Sequence, residues 1–244
     1  MSEAFKVTEH QGIVPSEESA KIVAQHAAAY ALAEPSIKDK VVLEIGHGDG
    51  YGSARLARLA KHVTAIDLFE ENSKKAALKY AKANLVFKAM NACELEFDDQ
   101  SIDIVCSFQV IEHIPEKQLP AYAQEIKRVL KPGGIAFIST LNLKNNKKPG
   151  IFYNKSPHHD KEFEPQEYKE FFANYFDDFK LMGLYPNTSM RVAERLKKSG
   201  VFKWIPEVMN PIQKYYANIS EHNFQWLEQS QLDQCIDLMA VLKK

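Results

Sequence analysis

A chain of 244 residues, 45% hydrophobic and 26% charged, can bury one α/β core with insertions and has the composition of a soluble globular protein. Its formal net charge of −1 supplies no global attraction to nucleic acid or to an anionic membrane. No apolar run approaches the length of a membrane span, and the opening MSEAFKVTEHQG lacks the apolar core of a secretory signal.

In chain order, Ser16 followed by Glu17, Glu18 and Ser19 reads as a helix start with acids in the first turn. That helix is expected to run through the alanine-rich stretch to about Ala33, before Pro35, within an N-terminal helical segment over 1–40. Strands are predicted at 41–45, 63–66, 85–87, 102–108, 135–140, 179–184 and 235–242. Helices are predicted between them at 53–61, 71–83, 117–130 and 165–175. Lys131-Pro132-Gly133-Gly134 reads as a helix end that turns the chain into the fifth strand. The alternation predicts an α/β fold: a doubly wound, mostly parallel seven-stranded sheet, Rossmann-like, forming a single domain over 1–244. The last strand is expected to be antiparallel. Two stretches exceed a minimal sheet: a polar loop over 142–164, and a helical insertion or lid over 186–230. Loops above the carboxyl ends of parallel strands are where such folds build substrate sites. Cys93, Cys106 and Cys235 are far apart and form no C-x-x-C pair. They read as buried reduced thiols, which fits a cytoplasmic protein.

The most informative stretch runs from Val41 to Gly52. A strand-length apolar run ends in Glu44-Ile45, then Gly46, Gly48, Gly50 and Gly52 alternate with His47, Asp49 and Tyr51. A dinucleotide fingerprint needs G-x-G-x-x-G, but the third glycine falls on Tyr51, or on Ser53 in the other register. Glu44 ends the first strand, where a carboxylate accepts hydrogen bonds from loop N–H groups or from a ligand's ammonium. Asp67 ends the second strand 23 residues later, close to the spacing at which an acid meets a ribose hydroxyl pair. Asn91-Ala92 follows the third strand, where an adenine would be read, and Gln109 follows the fourth. For each acid alone, a turn contact is an equal explanation; the ordered set at strand ends favours a ligand.

The run from Val41 to Thr140 resembles class I S-adenosylmethionine-dependent methyltransferases. The resemblance rests on the acid-x-G-x-G-x-G motif, Asp67, Ser107-Phe108-Gln109-Val110-Ile111-Glu112-His113-Ile114 and Lys131-Pro132-Gly133-Gly134. It implies S-adenosyl-L-methionine as cofactor, held by Glu44, Gly46, His47, Gly48, Gly50, Asp67, Leu68, Asn91, Ala92 and Gln109. His47 replaces the small residue usual in the family, and Asn91 replaces an Asp. An Asn carbonyl still accepts a hydrogen bond.

Glu112-His113 falls at the pocket rim, just after the fourth strand. Histidine is the natural general base near neutral pH, and a structural role for His113 stands equally beside a catalytic one. The catalytic candidates are His113, Glu112 and His159. In small-RNA 3′-end 2′-O-methyltransferases, and similarly in ubiquinone-pathway O-methyltransferases, Glu-x-x-Glu-His here binds a divalent metal, and the RNA enzymes add a later His. This chain has Gln109 in place of the first Glu, which weakens the site for a hard cation, so no metal is expected. Ser139-Thr140-Leu141-Asn142 and His159-Asp160-Lys161-Glu162-Phe163 also resemble segments of the ubiquinone-pathway enzymes, and similar segments occur in methyltransferases linked to cell-surface glycans. Arg191, Arg195, Lys197, Lys198 and Lys203, interleaved with Val192, Leu196, Phe202 and Trp204, form either a solvated amphipathic helix or a surface for an anionic acceptor.

The expected activity is O-methylation of a small-molecule or glycan- or lipid-linked acceptor, with no nucleic-acid partner and no membrane span. The rivals are a metal-assisted RNA 3′-end 2′-O-methyltransferase and a non-catalytic S-adenosylmethionine-binding protein. The acceptor's identity and the oligomeric state have no motif in the sequence.

Overall fold

The computed structural model describes residues 15–147, 152–206, 209–229 and 231–244. The strands are β1 (Val41–Ile45), β2 (His62–Asp67), β3 (Leu85–Ala89), β4 (Ile102–Phe108), β5 (Leu130–Leu141), β6 (Asp178–Pro186), β7 (Phe224–Leu227) and β8 (Asp237–Lys243). They form one sheet in the order β3-β2-β1-β4-β5-β8-β6-β7. β1 to β5 pair in parallel, β8 runs antiparallel between β5 and β6, and β7 runs antiparallel along β6. The helices are α1 (Ala20–Ala33), α2 (Tyr51–Leu56), α3 (Glu70–Tyr80), α4 (Leu119–Val129), α5 (Leu143–Asn146), α6 (Pro165–Ala173), α7 (Thr188–Ser199) and α8 (Pro211–Ala217).

The central strands are apolar on both faces because helices cover both. Successive side chains alternate between the faces. Val42, Val63, Ala65, Ile104 and Cys106 pack with α1 and α2. Leu43, Ile45, Ile66, Val105 and Ile138 pack with α4 and α6. α4 supplies Leu119, Tyr122, Ala123, Ile126 and Val129, spaced three and four apart so that one stripe faces the sheet. Its last turn carries Lys127 and Arg128, which suit the negative end of the helix dipole. A third cluster joins Ala24 and Ala28 of α1 to Leu184, Met190 and Phe224, so the N-terminal helix and the late insertion share a core.

Several expectations need correction. The sheet has an eighth strand, because β7 lies inside the stretch read as a helical insertion. Four residues are too few to show a period; β7 is held by pairing with Gly183–Pro186 and by the Trp226 indole N–H, which donates to the Ala28 carbonyl at 2.9 Å. The first helix is capped by Ser19, whose hydroxyl accepts from the Ile22 N–H, so Glu17 and Glu18 precede it. The helix predicted at 53–61 begins two residues earlier, at the glycine turn, and ends at Leu56. The Asn84 amide donates to the Ala57 and Ala60 carbonyls and closes that end. β5 starts at Leu130, taking Lys131-Pro132-Gly133-Gly134 into its first part, and β8 starts at Asp237 rather than 235. Cys235 sits in the turn before β8, where the Asn142 side chain donates to its carbonyl at 2.9 Å. The three cysteines are free thiols, with Cys106 and Cys235 buried. The opening residues 1–14 and residues 148–151 of the polar loop lie outside the described residues.

Candidate active site

The carboxyl ends of β1, β2 and β4 converge on the glycine turn. Gly46, Gly48 and Gly50 have φ of 76, 52 and 86°. Gly46 admits no side chain: a Cβ there would lie 2.3 Å from Val110 Cγ2. Gly52 gives a close approach of another kind. The Tyr30 hydroxyl lies 2.0 Å from where its Cβ would be. That hydroxyl continues to Glu44 Oε1, donating at 2.7 Å.

Glu44 is buried, and its Oε2 has no hydrogen-bond partner. Burial pushes its carboxyl from the ordinary 4.5 up to about 7, opposed in part by the hydroxyls of Ser53 and Tyr30. An unpartnered buried carboxylate oxygen is costly, and it is the acceptor that a cationic ligand group would satisfy. Around it stand aromatic rings. Tyr30 meets Phe108 edge-on at 4.8 Å and the His26 ring at 5.3 Å, and His26 Nδ1 is hydrogen-bonded to the Tyr51 hydroxyl. Burial lowers the His26 imidazole to about 4, so it is neutral at physiological pH.

Asp67 ends β2 and ties three donors. Its Oδ2 accepts from the Gly48 N–H at 3.1 Å, and its Oδ1 from the Phe69 N–H at 3.0 Å and the Asn72 amide at 3.1 Å. Leu68 beside it is 55% exposed, an apolar side chain presented at the mouth of the turn. The His47 ring is buried. It bridges the Gly48 carbonyl at 2.9 Å and the Ser73 hydroxyl on α3 at 3.1 Å, and burial lowers its imidazole. Asn91 is exposed, and its Oδ1 accepts from the Cys93 N–H at 2.9 Å, with half-buried Ala92 between them.

Gln109 follows β4 at φ 57°, an uncommon left-handed conformation for a residue with a Cβ. Its N–H donates to the Ser139 carbonyl at 3.0 Å, and its amide reaches the Ser139 hydroxyl at 3.4 Å. A short 3-10 turn over Ile111–His113 follows. The Glu112 carbonyl accepts from the Asp160 and Lys161 N–H groups at 2.7 and 3.2 Å. These bonds clamp the 158–162 segment against the 3-10 turn. His113 Nδ1 pairs with the His158 carbonyl at 2.9 Å, and the His113 and His159 rings stand edge to face at 5.0 Å. A carbonyl partner requires Nδ1 to carry the proton, which makes Nε2 the basic nitrogen of the neutral His113 ring.

His159 Nδ1 is 2.6 Å from Glu162 Oε1, and Glu162 Oε2 accepts from the Tyr153 hydroxyl at 2.7 Å. Glu162 and Tyr153 are thus oriented partners that the sequence reading did not assign. The one available signal was the i, i+3 spacing of His159 and Glu162. Glu112 is buried with Oε2 unpartnered, and burial pushes its carboxyl up to about 8, aided by Asp237 and Glu162. Ligand atoms of Glu112, His113 and His159 lie within 4.8 Å of one another. The three residues expected at the chemical centre are therefore brought together, and Gln109 is directed to Ser139. Tyr30, His26 and Tyr51 were likewise not anticipated, because only the packing of α1 across the sheet carries two of them to Glu44.

Residues 43–138 match the family model described as a methyltransferase domain. A probable S-adenosylmethionine-dependent methyltransferase of Mycobacterium tuberculosis is 30% identical over 168 residues, covering 68% of this chain and 60% of that protein. A ubiquinone biosynthesis O-methyltransferase of Parvibaculum lavamentivorans is 31% identical over 119 residues, 48% of this chain and 46% of that protein. The chain thus spans less than two thirds of the length of these curated relatives. An S-adenosylmethionine-dependent methyltransferase structure from Mesorhizobium loti has a TM-score of 0.61 at 12% identity, covering 91% of this chain and 98% of that one, a likeness of fold. Residues 43–138 are thus similar to a methyltransferase domain, and the sheet that holds them has the fold of a solved methyltransferase.

Proposed function

We propose that the chain is an S-adenosylmethionine-dependent methyltransferase that methylates an oxygen of a small-molecule or glycan- or lipid-linked acceptor. The observation that carries this reading is Glu44: a buried carboxylate beside the glycine turn, half satisfied by Tyr30 and with Oε2 unpartnered. The residues present fit the cofactor. Glu44 would take its ammonium, Asp67 its ribose hydroxyls, Leu68 the face of its base, and Asn91 and Ala92 the base edge. Gly46, His47, Gly48 and Gly50 let the backbone approach, and Gln109 borders the methionine end. When bound, S-adenosylmethionine supplies a methyl group on a positive sulfur, which is already a good leaving group.

The protein's part is alignment, exclusion of water and removal of the acceptor's proton. His113 Nε2 takes that proton, with Nδ1–H anchored on the His158 carbonyl. The His159–Glu162 pair stands edge-on to His113 and orients the second imidazole of the site. In a second reading, Glu112, His113 and His159 would hold a divalent cation, which would supply Lewis-acid polarisation of the acceptor oxygen; the convergence of their ligand atoms favours it. One carboxylate and two imidazoles suit Zn²⁺ or Fe²⁺ better than Mg²⁺. The O-methyltransferase names among the relatives support oxygen as the acceptor atom.

Calorimetry with S-adenosylmethionine, S-adenosylhomocysteine and NAD tests the cofactor: the first two bind and the third does not. NAD binding without S-adenosylmethionine binding overturns the reading. Turnover in EDTA separates the two centres. Base catalysis survives the chelator, whereas a metal centre loses methyl transfer reversibly and recovers with Zn²⁺, Fe²⁺ or Mn²⁺.

A further inference from the structure

α7 and the segment after it present an apolar surface that no described element covers. Met190 and Ala193 are buried on the inner side of α7. Val192 and Leu196, one turn apart, are exposed on the outer side. In the sequence beyond the helix, Val201, Ile205 and Met209 are exposed as well, and Trp204 is 92% exposed. A fully exposed indole amid exposed aliphatic side chains is unusual on a soluble monomer and marks a contact surface.

The charges beside this line are mostly positive. Residues 188–209 carry Arg191, Arg195, Lys197, Lys198 and Lys203 against two acids, Glu194 and Glu207. Glu194 is already paired with Lys21 of α1 at 2.6 Å, and Lys197 lies over the Tyr216 ring. Arg191, Arg195, Lys198 and Lys203 form no ion pair among the described residues. The chain as a whole has a net charge of −1, so this concentration is local.

We propose that this face docks the protein onto an anionic lipid bilayer, with Trp204 and its aliphatic neighbours entering the interface and the basic residues meeting the headgroups. Exposed apolar side chains next to Lys and Arg are what an interfacial helix needs, and indole rings favour the headgroup level. Among the described residues no helix is long and apolar enough to cross a membrane, so the contact is peripheral. A second copy seated on the same face would bring like charges together. Nucleic acid would use the basic residues and Trp204 but leave the aliphatic line without a partner. Docking through α7 also bears on the site: Met190 of α7 packs against α1, and α1 carries the Tyr30 that holds Glu44. The proposal does not depend on the methyltransferase reading.

The test is co-sedimentation of the full chain with vesicles of phosphatidylcholine alone or mixed with phosphatidylglycerol. Wild type is expected to bind only the mixed vesicles, less at raised salt, with a blue shift of tryptophan emission. Lys198→Glu with Lys203→Glu should lower partitioning at least about tenfold and leave S-adenosylhomocysteine affinity unchanged. Trp204→Phe should keep binding and lose the blue shift, since Trp226 faces α1. The proposal is overturned by no binding to mixed vesicles, equal binding of the charge-reversed variant, or tighter binding to single-stranded RNA. It is equally overturned by self-association that Trp204→Glu removes. Failure of cofactor binding with vesicle binding intact would count against the proposed activity alone.

Discussion

Replacing Glu44 by Gln should stabilise the free protein while weakening cofactor binding. Burial raises the Glu44 carboxyl from 4.5 to about 7. Below pH 4.5 both folded and unfolded chains hold the proton, and the group costs nothing. Between 4.5 and 7 the unfolded chain ionises first, so stability falls as pH rises. Above 7 the cost is constant at about 3 kcal/mol, taking 1.36 kcal/mol per pKa unit. Gln is nearly isosteric, keeps an acceptor for the Tyr30 hydroxyl, and brings an N–H₂ that can donate to the Ser53 hydroxyl oxygen. Urea denaturation at pH 8 should therefore show a gain of about 3 kcal/mol, or about 6–12 °C in thermal midpoint, and at pH 4 none. Buried Glu112 and half-buried Asp237, raised to about 8 and 7, give wild type a trend of the same sign, so the difference between the two proteins isolates Glu44. Affinity for S-adenosylmethionine should fall about 10- to 100-fold, because the neutral amide cannot pair with an ammonium. A folded variant with no gain at pH 8, or with the same gain at both pH values, refutes the argument.

Asp67→Ala leaves the Gly48, Phe69 and Asn72 donors without their acceptor and should weaken cofactor binding by about 1–3 kcal/mol by calorimetry; unchanged affinity removes Asp67 from the site. Gly46→Ala should destabilise the chain by about 1–3 kcal/mol, because its Cβ meets Val110 at a positive φ. Adding Val110→Ala should recover part of that loss in denaturation, and strict additivity would show that the contact is not the cause. Glu162→Gln should slow methyl transfer about ten- to a hundredfold with cofactor affinity kept, since it loosens the orientation of His159. Full activity would make that pair structural.

By itself the sequence determined the parallel core and the cofactor end of it. Strands buried on both faces must be apolar throughout, so Val41–Ile45 and Ile102–Phe108 were legible as runs, and the glycines after Glu44 announced a turn without side chains. The same local logic placed Asp67, Asn91 and Gln109 at strand ends. Long-range packing decided the rest. β7 is four residues long and exists because β6 offers it an edge; no periodicity survives at that length. His158 and His159 reach His113 through the clamp of two N–H groups on the Glu112 carbonyl, reinforced by the Glu116 N–H donating to Asp160 Oδ2, contacts without a sequence signature. Tyr30 reaches Glu44 because α1 packs against Gly52 of α2, and the raised carboxyls of Glu44 and Glu112 each follow from that residue's own burial. Local sequence encodes backbone preference and apolar pattern, whereas desolvation and contacts between distant segments exist only once the chain is closed on itself.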